Sequence, residues 1–136
     1  MDPVAYAKLN RVNEARIEYD RLCAKVEELE AMAEKVTPHL SDTVVQGAHS
    51  LKDDTWAKLV DYKMQCQWQL DLYAESCKAL DSELDVIRDV NIRTAMKYRY
   101  VDGYPPEDIA KALSYDVRSV FRYLKKGRAI YESYYK

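Results

Sequence analysis

An all-α fold is predicted, made of a long N-terminal helical hairpin of coiled-coil type and a C-terminal helix-turn-helix. Three observations predict it. The 136 residues include only three glycines and four prolines, a composition that favours helix over sandwich or barrel. Apolar residues recur at alternating spacings of three and four along two long stretches, as one face of a helix requires. The C-terminal part carries two short amphipathic segments joined by a tight turn, the second of them basic along one side. A chain of this length holds one modest core or two small modules.

The first stretch runs from Val12 to Val36. Val12, Ala15, Tyr19, Leu22, Val26, Leu29, Ala33 and Val36 form its seam, with no glycine or proline between them, and the period is that of a coiled coil. Thr37 and Pro38 are expected to stop this helix, because proline cannot continue the hydrogen-bond ladder. A long polar loop is expected over 37–54. Both histidines, His39 and His49, fall in it; with no thiol or third ligand at motif spacing they are expected to face solvent, and no metal site is predicted.

Asp53, Asp54 or Thr55 can cap the next helix. From there Leu59, Cys66, Leu70, Tyr73, Cys77, Leu80, Leu84 and Ile87 make a second seam, broken only by Lys63. Two seams of similar length form an antiparallel hairpin, or are buried between subunits. Trp56 and Trp68 lie off the seam and either cover a third helix or mark a surface for a partner. The many carboxylates of this half are expected at solvent positions of the coiled coil.

Near Asp89 to Asn91 the seam falters. A helix restarting there would present Ile92, Ala95 and Met96 on one face and end at Gly103, a residue suited to the left-handed position after a helix. One unbroken helix from about 55 to 101 is the alternative. The domains are accordingly drawn as 1–88, the hairpin with loop 37–54, and 89–136, the helix-turn-helix.

Within the second domain, Pro105 and Pro106 open a short helix where a missing N–H costs nothing. Glu107 and Asp108 lie in its first turn, favoured by the helix dipole, and Ile109, Ala110 and Leu113 form its apolar edge. After a turn at Ser114 and Tyr115, Asp116 is placed to cap a helix over 117–131. Counting from Arg118 at 100° per residue, Arg122 falls at about 40°, Lys125 at about −20° and Lys126 at about 80°. Val117, Val120, Leu124 and Tyr131 cluster near 220°, opposite the cations. A helix apolar on one side and cationic on the other, after a short helix and a tight turn, suits the major groove of DNA. Arg118, Ser119 and Arg122 are the candidate base or phosphate contacts, and Lys125, Lys126 and Arg128, farther along, the candidate phosphate contacts. Eight of the twelve tyrosines follow position 97; they are read as core or rim, not as base-stacking platforms.

The net charge of −2 conceals an asymmetry. Residues 1–85 carry −7 and residues 86–136 carry +5, so a polyanionic partner is expected at the C-terminal end. Cys23, Cys66 and Cys77 form no CxxC pair and are read as small apolar fillers in a reducing compartment. No phosphate loop, GxSxG elbow or HExxH is present, so neither catalysis nor a cofactor is expected. No membrane span or signal peptide is legible, and a cytoplasmic protein is expected.

The stretch RTAMKYRYVDGYPPEDIAKALSYDVRSVFRYLKKGRA resembles the region 4 helix-turn-helix of sigma-70 factors. Arg99, Tyr100, Glu107, Ile109, Ala110, Leu113, Val120 and Arg122 carry that resemblance. In layout the whole chain is similar to small phage and prophage transcription regulators of Gram-positive bacteria, the ArpU-like proteins among them. Gly127, Arg128 and Ala129 come slightly later than the corresponding family element, and Pro105 and Pro106 stand where it has a polar cap. The resemblance implies a regulator that binds double-stranded DNA in the bacterial host cell, with a coiled coil that forms a homodimer or higher homo-oligomer or contacts host RNA polymerase. A small terminase subunit is the alternative within DNA binding, and a coiled-coil interaction module that does not bind DNA is the alternative outside it.

Overall fold

Long helices propagate at little cost once a packed segment has nucleated them, and the computed structural model shows two helices longer than their seams. It describes residues 1–40 and 46–136, with side chains described outside 35–52. Helix α1 spans Pro3–Leu40 and α2 spans Gln46–Glu83; a 3-10 turn, Leu84–Val86, leads to α3 (Val90–Tyr100), α4 (Pro106–Leu113) and α5 (Val117–Tyr135). No strand occurs among the described residues, and no helix among them is long and apolar enough to cross a membrane. The all-α fold with a long N-terminal helix pair is as expected.

The loop expected over 37–54 is mostly helix: α1 runs through Thr37 and Pro38 to Leu40, and α2 starts at Gln46. Proline at 38 removes one ladder bond and crowds the carbonyl a turn before it, yet α1 continues only two residues beyond it, and elongation outward from a packed segment overrides weak local propensity at Gly47 and its polar neighbours. The surroundings of His39 and His49 lie outside the described side chains.

Two compact units form. One comprises Arg16–Leu72; the other joins Met1–Ala15 to Tyr73–Lys136. The unit containing α3 to α5 thus also takes in the N-terminal end of α1 and the C-terminal end of α2.

In the Arg16–Leu72 unit, Leu22, Leu29 and Ala33 of α1 and Leu59 of α2 are buried, with Thr55 beside them. The helices are antiparallel. Tyr19, Cys23 and Val26 share a cavity with Leu70, Cys66 and Lys63, and Lys63 Nζ reaches Glu30 Oε1 at 3.2 Å. Cys66 and Cys23 therefore meet across the pair, and burial together with the Cys23 thiol pushes the Cys66 thiol up from its ordinary pKa.

In the other unit, Ala5, Leu9 and Val12 of α1 continue the seam toward the N-terminus and pack with Leu80, Leu84, Ile87, Ile92, Met96, Ile109, Val120, Leu124 and Tyr131 in one cluster. The unbroken helix from 55 to 101 does not form. Helix α2 stops at Glu83 and the chain turns extended at Ile87 after the 3-10 turn; Asp89 then caps α3, accepting N–H bonds from Asn91 at 2.9 Å and Ile92 at 3.2 Å. Helix α3 ends at Tyr100, and Gly103 takes φ 78° in the connection to α4, the left-handed region open to glycine.

One carboxylate departs from the solvent positions expected for it. Glu83, half-buried at the end of α2, accepts from Arg11 at 2.6 Å through Oε2 and from the Tyr131 hydroxyl at 2.6 Å through Oε1. Tyr135 adds a bond to the Glu83 carbonyl at 3.4 Å, and the Asp2 N–H donates to Glu132 at 2.9 Å. The last turns of α5 are thereby tied to α1 and α2.

Candidate nucleic-acid interface

Helix α4 begins at the double proline, with Pro105 as cap and Glu107 and Asp108 in the first turn. It ends at Ser114, which adopts φ 58° and ψ 40°. The Tyr115 N–H reaches back to the Ala110 carbonyl at 3.0 Å, the six-to-one bond of a left-handed helix stop. Two residues later Asp116 starts α5, its Oδ1 accepting the Ser119 N–H at 2.8 Å. The turn expected at Ser114 and Tyr115 and the cap expected at Asp116 both form.

The two sides of α5 then separate as their chemistry requires. Val120, Leu124, Gly127 and Tyr131 are buried, against Ile109 and Ala110 of α4 and Ile92, Ala95 and Met96 of α3 in the same cluster. Arg118, Arg122, Lys125 and Lys126 are all exposed on the other side. The Arg122 guanidinium lies 5.7 Å from the Tyr123 ring centroid, and Tyr123 meets Tyr115 edge-on at 5.6 Å. That contact steadies a long side chain that solvent would otherwise leave free.

Ser119 and Arg128 are placed differently. Ser119 is half-buried and engaged with Asp116. Hydrogen bonds from the Ser119 side chain and N–H hold the Asp116 carboxyl below the ordinary aspartate pKa, with Arg118 and Arg122 adding to the effect. Arg128 is half-buried, its guanidinium 3.4 Å from the Tyr100 hydroxyl, and it lines a cavity with Asn10, Asn13 and Arg99. It therefore stands apart from the exposed row.

Two residues escaped the sequence reading. Phe121 is 54% exposed and falls at about −60° on the scale that starts at Arg118, within the cationic side; its position on the wheel was the available signal. Gly127, the displaced glycine of the family element, lies inside α5 and is buried directly against α3. A Cβ there would stand 2.6 Å from Met96 Sδ and 3.2 Å from Ile92 Cγ2. The helix does not stop at it. No sequence pattern announces a contact between helices that depends on a missing side chain.

The tyrosines serve mainly as structure. Tyr131 is fully buried, and burial and the Glu83 carboxylate push its hydroxyl above the ordinary tyrosine pKa. Tyr98 and Tyr104 stack at 5.2 Å across the α3–α4 connection. Among the described residues no cluster of three potential metal ligands occurs. Compared with family models, with curated proteins and with solved structures, the chain finds no match.

Proposed function

We propose that this protein is a transcription regulator of phage genes that reads double-stranded DNA with α5 and associates through its helical hairpin. The observation that carries the reading is the exposed row Arg118, Arg122, Lys125 and Lys126 on a helix whose opposite side is locked in a core. A solvated helix needs no such segregation of one charge sign, whereas a phosphate backbone rewards it through counterion release.

The order of the side chains along α5 supports a division of work. Arg118 and Arg122, in its first two turns, are forked donors that match the O6 and N7 acceptors of guanine in the major groove. Phe121 between them offers an apolar surface to a thymine methyl. Lys125 and Lys126, point charges on flexible stems, neutralise phosphates farther along the groove. The short helix α4, ending in a fixed stop at Ser114, sets the angle at which α5 enters. Host RNA polymerase is the proposed protein partner, on the sigma-like pattern of Arg99, Tyr100, Glu107 and Ile109.

Fluorescence anisotropy with a labelled DNA duplex at several salt concentrations tests the reading. Two phosphate-neutralising lysines per chain, four in the proposed dimer, give a slope of about −3.6 in log affinity against log salt. Absence of binding at low salt, or binding indifferent to salt, contradicts it.

A further inference from the structure

Between the start of α1, the end of α3 and α5 lies a cavity of about 350 Å³, within the ~300–1,000 Å³ range of small-molecule sites and near its lower end. All of its lining residues belong to one compact unit. Its polar groups come from three helices: Asn10 and Asn13 of α1, Arg99 and Tyr100 of α3, and Arg128 of α5. Tyr6 adds an aromatic ring, 59% exposed. No carboxylate lines the cavity.

Two guanidiniums therefore share this space without an acid between them. Arg99 Nη1 donates to the Tyr104 carbonyl at 3.2 Å, and Arg128 Nη1 lies 3.4 Å from the Tyr100 hydroxyl. Each commits one of its five N–H donors to a neutral acceptor, and neither forms an ion pair among the described residues. Elsewhere in the unit, half-buried cations are matched by acids: Arg11 by Glu83 at 2.6 Å, and Lys97 by Asp85 at 2.7 Å and Asp81 at 3.3 Å. Glu132 stands four residues after Arg128, the spacing of a helical ion pair, yet its Oε1 accepts the Asp2 N–H at 2.9 Å instead. A half-buried cation with only a weak neutral partner is costly, and a second cation at the same cavity adds repulsion. An anion between the two relieves both.

We infer that this cavity is a nucleotide site, which takes the phosphate of a nucleoside monophosphate between Arg99 and Arg128 and its base among Tyr6, Asn10 and Asn13. Guanidinium forks match phosphate oxygens two at a time. The Tyr6 ring offers a face on which a base stacks. A carboxamide carries a donor and an acceptor side by side, the pair that matches the amino group and adjacent ring nitrogen of adenine. Asn13 makes no side-chain hydrogen bond among the described residues, and Asn10 donates to the Tyr6 carbonyl at 2.9 Å while its Oδ1 stays open. Adenosine 5′-monophosphate is therefore the expected ligand. The inference is independent of the DNA reading, which uses Arg118, Arg122, Lys125 and Lys126.

Isothermal titration calorimetry of the full chain with adenosine 5′-monophosphate, adenosine and inorganic phosphate tests the site. The nucleotide is expected to bind one per chain, at least about 10-fold tighter than adenosine or phosphate alone. Arg99→Gln and Arg128→Gln are each expected to weaken the nucleotide at least about 10-fold and to leave adenosine unchanged. Tyr6→Ala is expected to weaken the nucleotide and adenosine but not phosphate. Arg99 and Tyr6 are solvent-exposed, so their variants test the site even where Arg128→Gln perturbs folding, and circular dichroism verifies the fold of each.

Absence of nucleotide binding at millimolar concentration overturns the inference, as does binding that the folded arginine variants retain in full. Phosphate that binds as tightly as the nucleotide overturns the base contacts. A DNA duplex that displaces the nucleotide, with Arg99→Gln weakening duplex and nucleotide alike, makes a backbone phosphate the occupant and overturns the free-nucleotide assignment.

Discussion

The hydroxyl of Tyr131 donates to Glu83 Oε1 at 2.6 Å, joining the last turns of the proposed recognition helix to the end of α2. Arg11 holds the other oxygen of the same carboxylate, so three helices meet at one side chain. The direction in which α5 presents its cations is therefore set by the long helices as well as by α3 and α4.

Tyr131→Phe keeps the ring and deletes the bond, and is expected to lower stability by about 1 kcal/mol. Glu83→Ala is expected to cost more, about 1–3 kcal/mol after allowance for the partial exposure of the pair, because it strands Arg11. Arg11 Nε is already buried with no hydrogen-bond partner among the described residues. The raised Tyr131 pKa has a defined sign: the neutral phenol is favoured in the folded state, so its contribution is complete below the ordinary tyrosine pKa of about 10 and is lost as pH rises beyond it. Denaturant titrations at neutral and alkaline pH check both statements, with Tyr131→Phe losing less stability than the wild type on the alkaline side.

Gly127→Ala sets an intrinsic gain against a packing loss. Alanine improves helix propensity by about 1 kcal/mol, but the new methyl must displace Met96 and crowd Ile92 within a buried contact, which costs about 1–3 kcal/mol. Net destabilisation is expected by thermal unfolding, and Met96→Ala in the same chain is expected to relieve part of it.

Asp116→Asn keeps a side chain that caps helices well while removing a negative charge near Arg118 and Arg122. Nearly unchanged stability near neutral pH and DNA affinity raised several-fold at low salt are expected, the second effect shrinking as salt increases. The depressed wild-type pKa means that its cap is present above the ordinary aspartate range and lost as pH falls through the folded value. Asparagine does not titrate, so acid unfolding of the variant is expected to lack that component.

Phe121→Ala removes an exposed ring that makes no part of the buried cluster. Stability is expected to stay within about 0.5 kcal/mol, while affinity for a specific site falls and non-specific binding stays constant. Unfolding curves and competition titrations against mixed-sequence DNA separate the two.

How far this was legible differed with the range of the interaction. The seam of α1 was readable because Leu22, Leu29 and Ala33 recur with the period of the helix that buries them, and Val120, Leu124 and Tyr131 were readable on α5 for the same reason. The Asp116 cap was local chemistry, settled within three residues. The helical backbone at 37–40 and 46–54 was not legible, since Pro38 and Gly47 argue locally against what elongation from packed helix achieves. Glu83 looked like any solvent carboxylate because its partners, Arg11 and Tyr131, are remote in sequence. Gly127 is opaque in the sequence for a related reason: its significance lies in Met96, on another helix.

The central claim is that Arg118 and Arg122 read bases from the first turns of α5. The most direct measurement is the affinity of Arg118→Ala and Arg122→Ala for a duplex selected by the wild-type protein, at fixed salt and with folding verified by circular dichroism. Each variant is predicted to lose about 1–3 kcal/mol on that site and much less on random DNA. Undiminished affinity of both folded variants for the selected site would contradict the account.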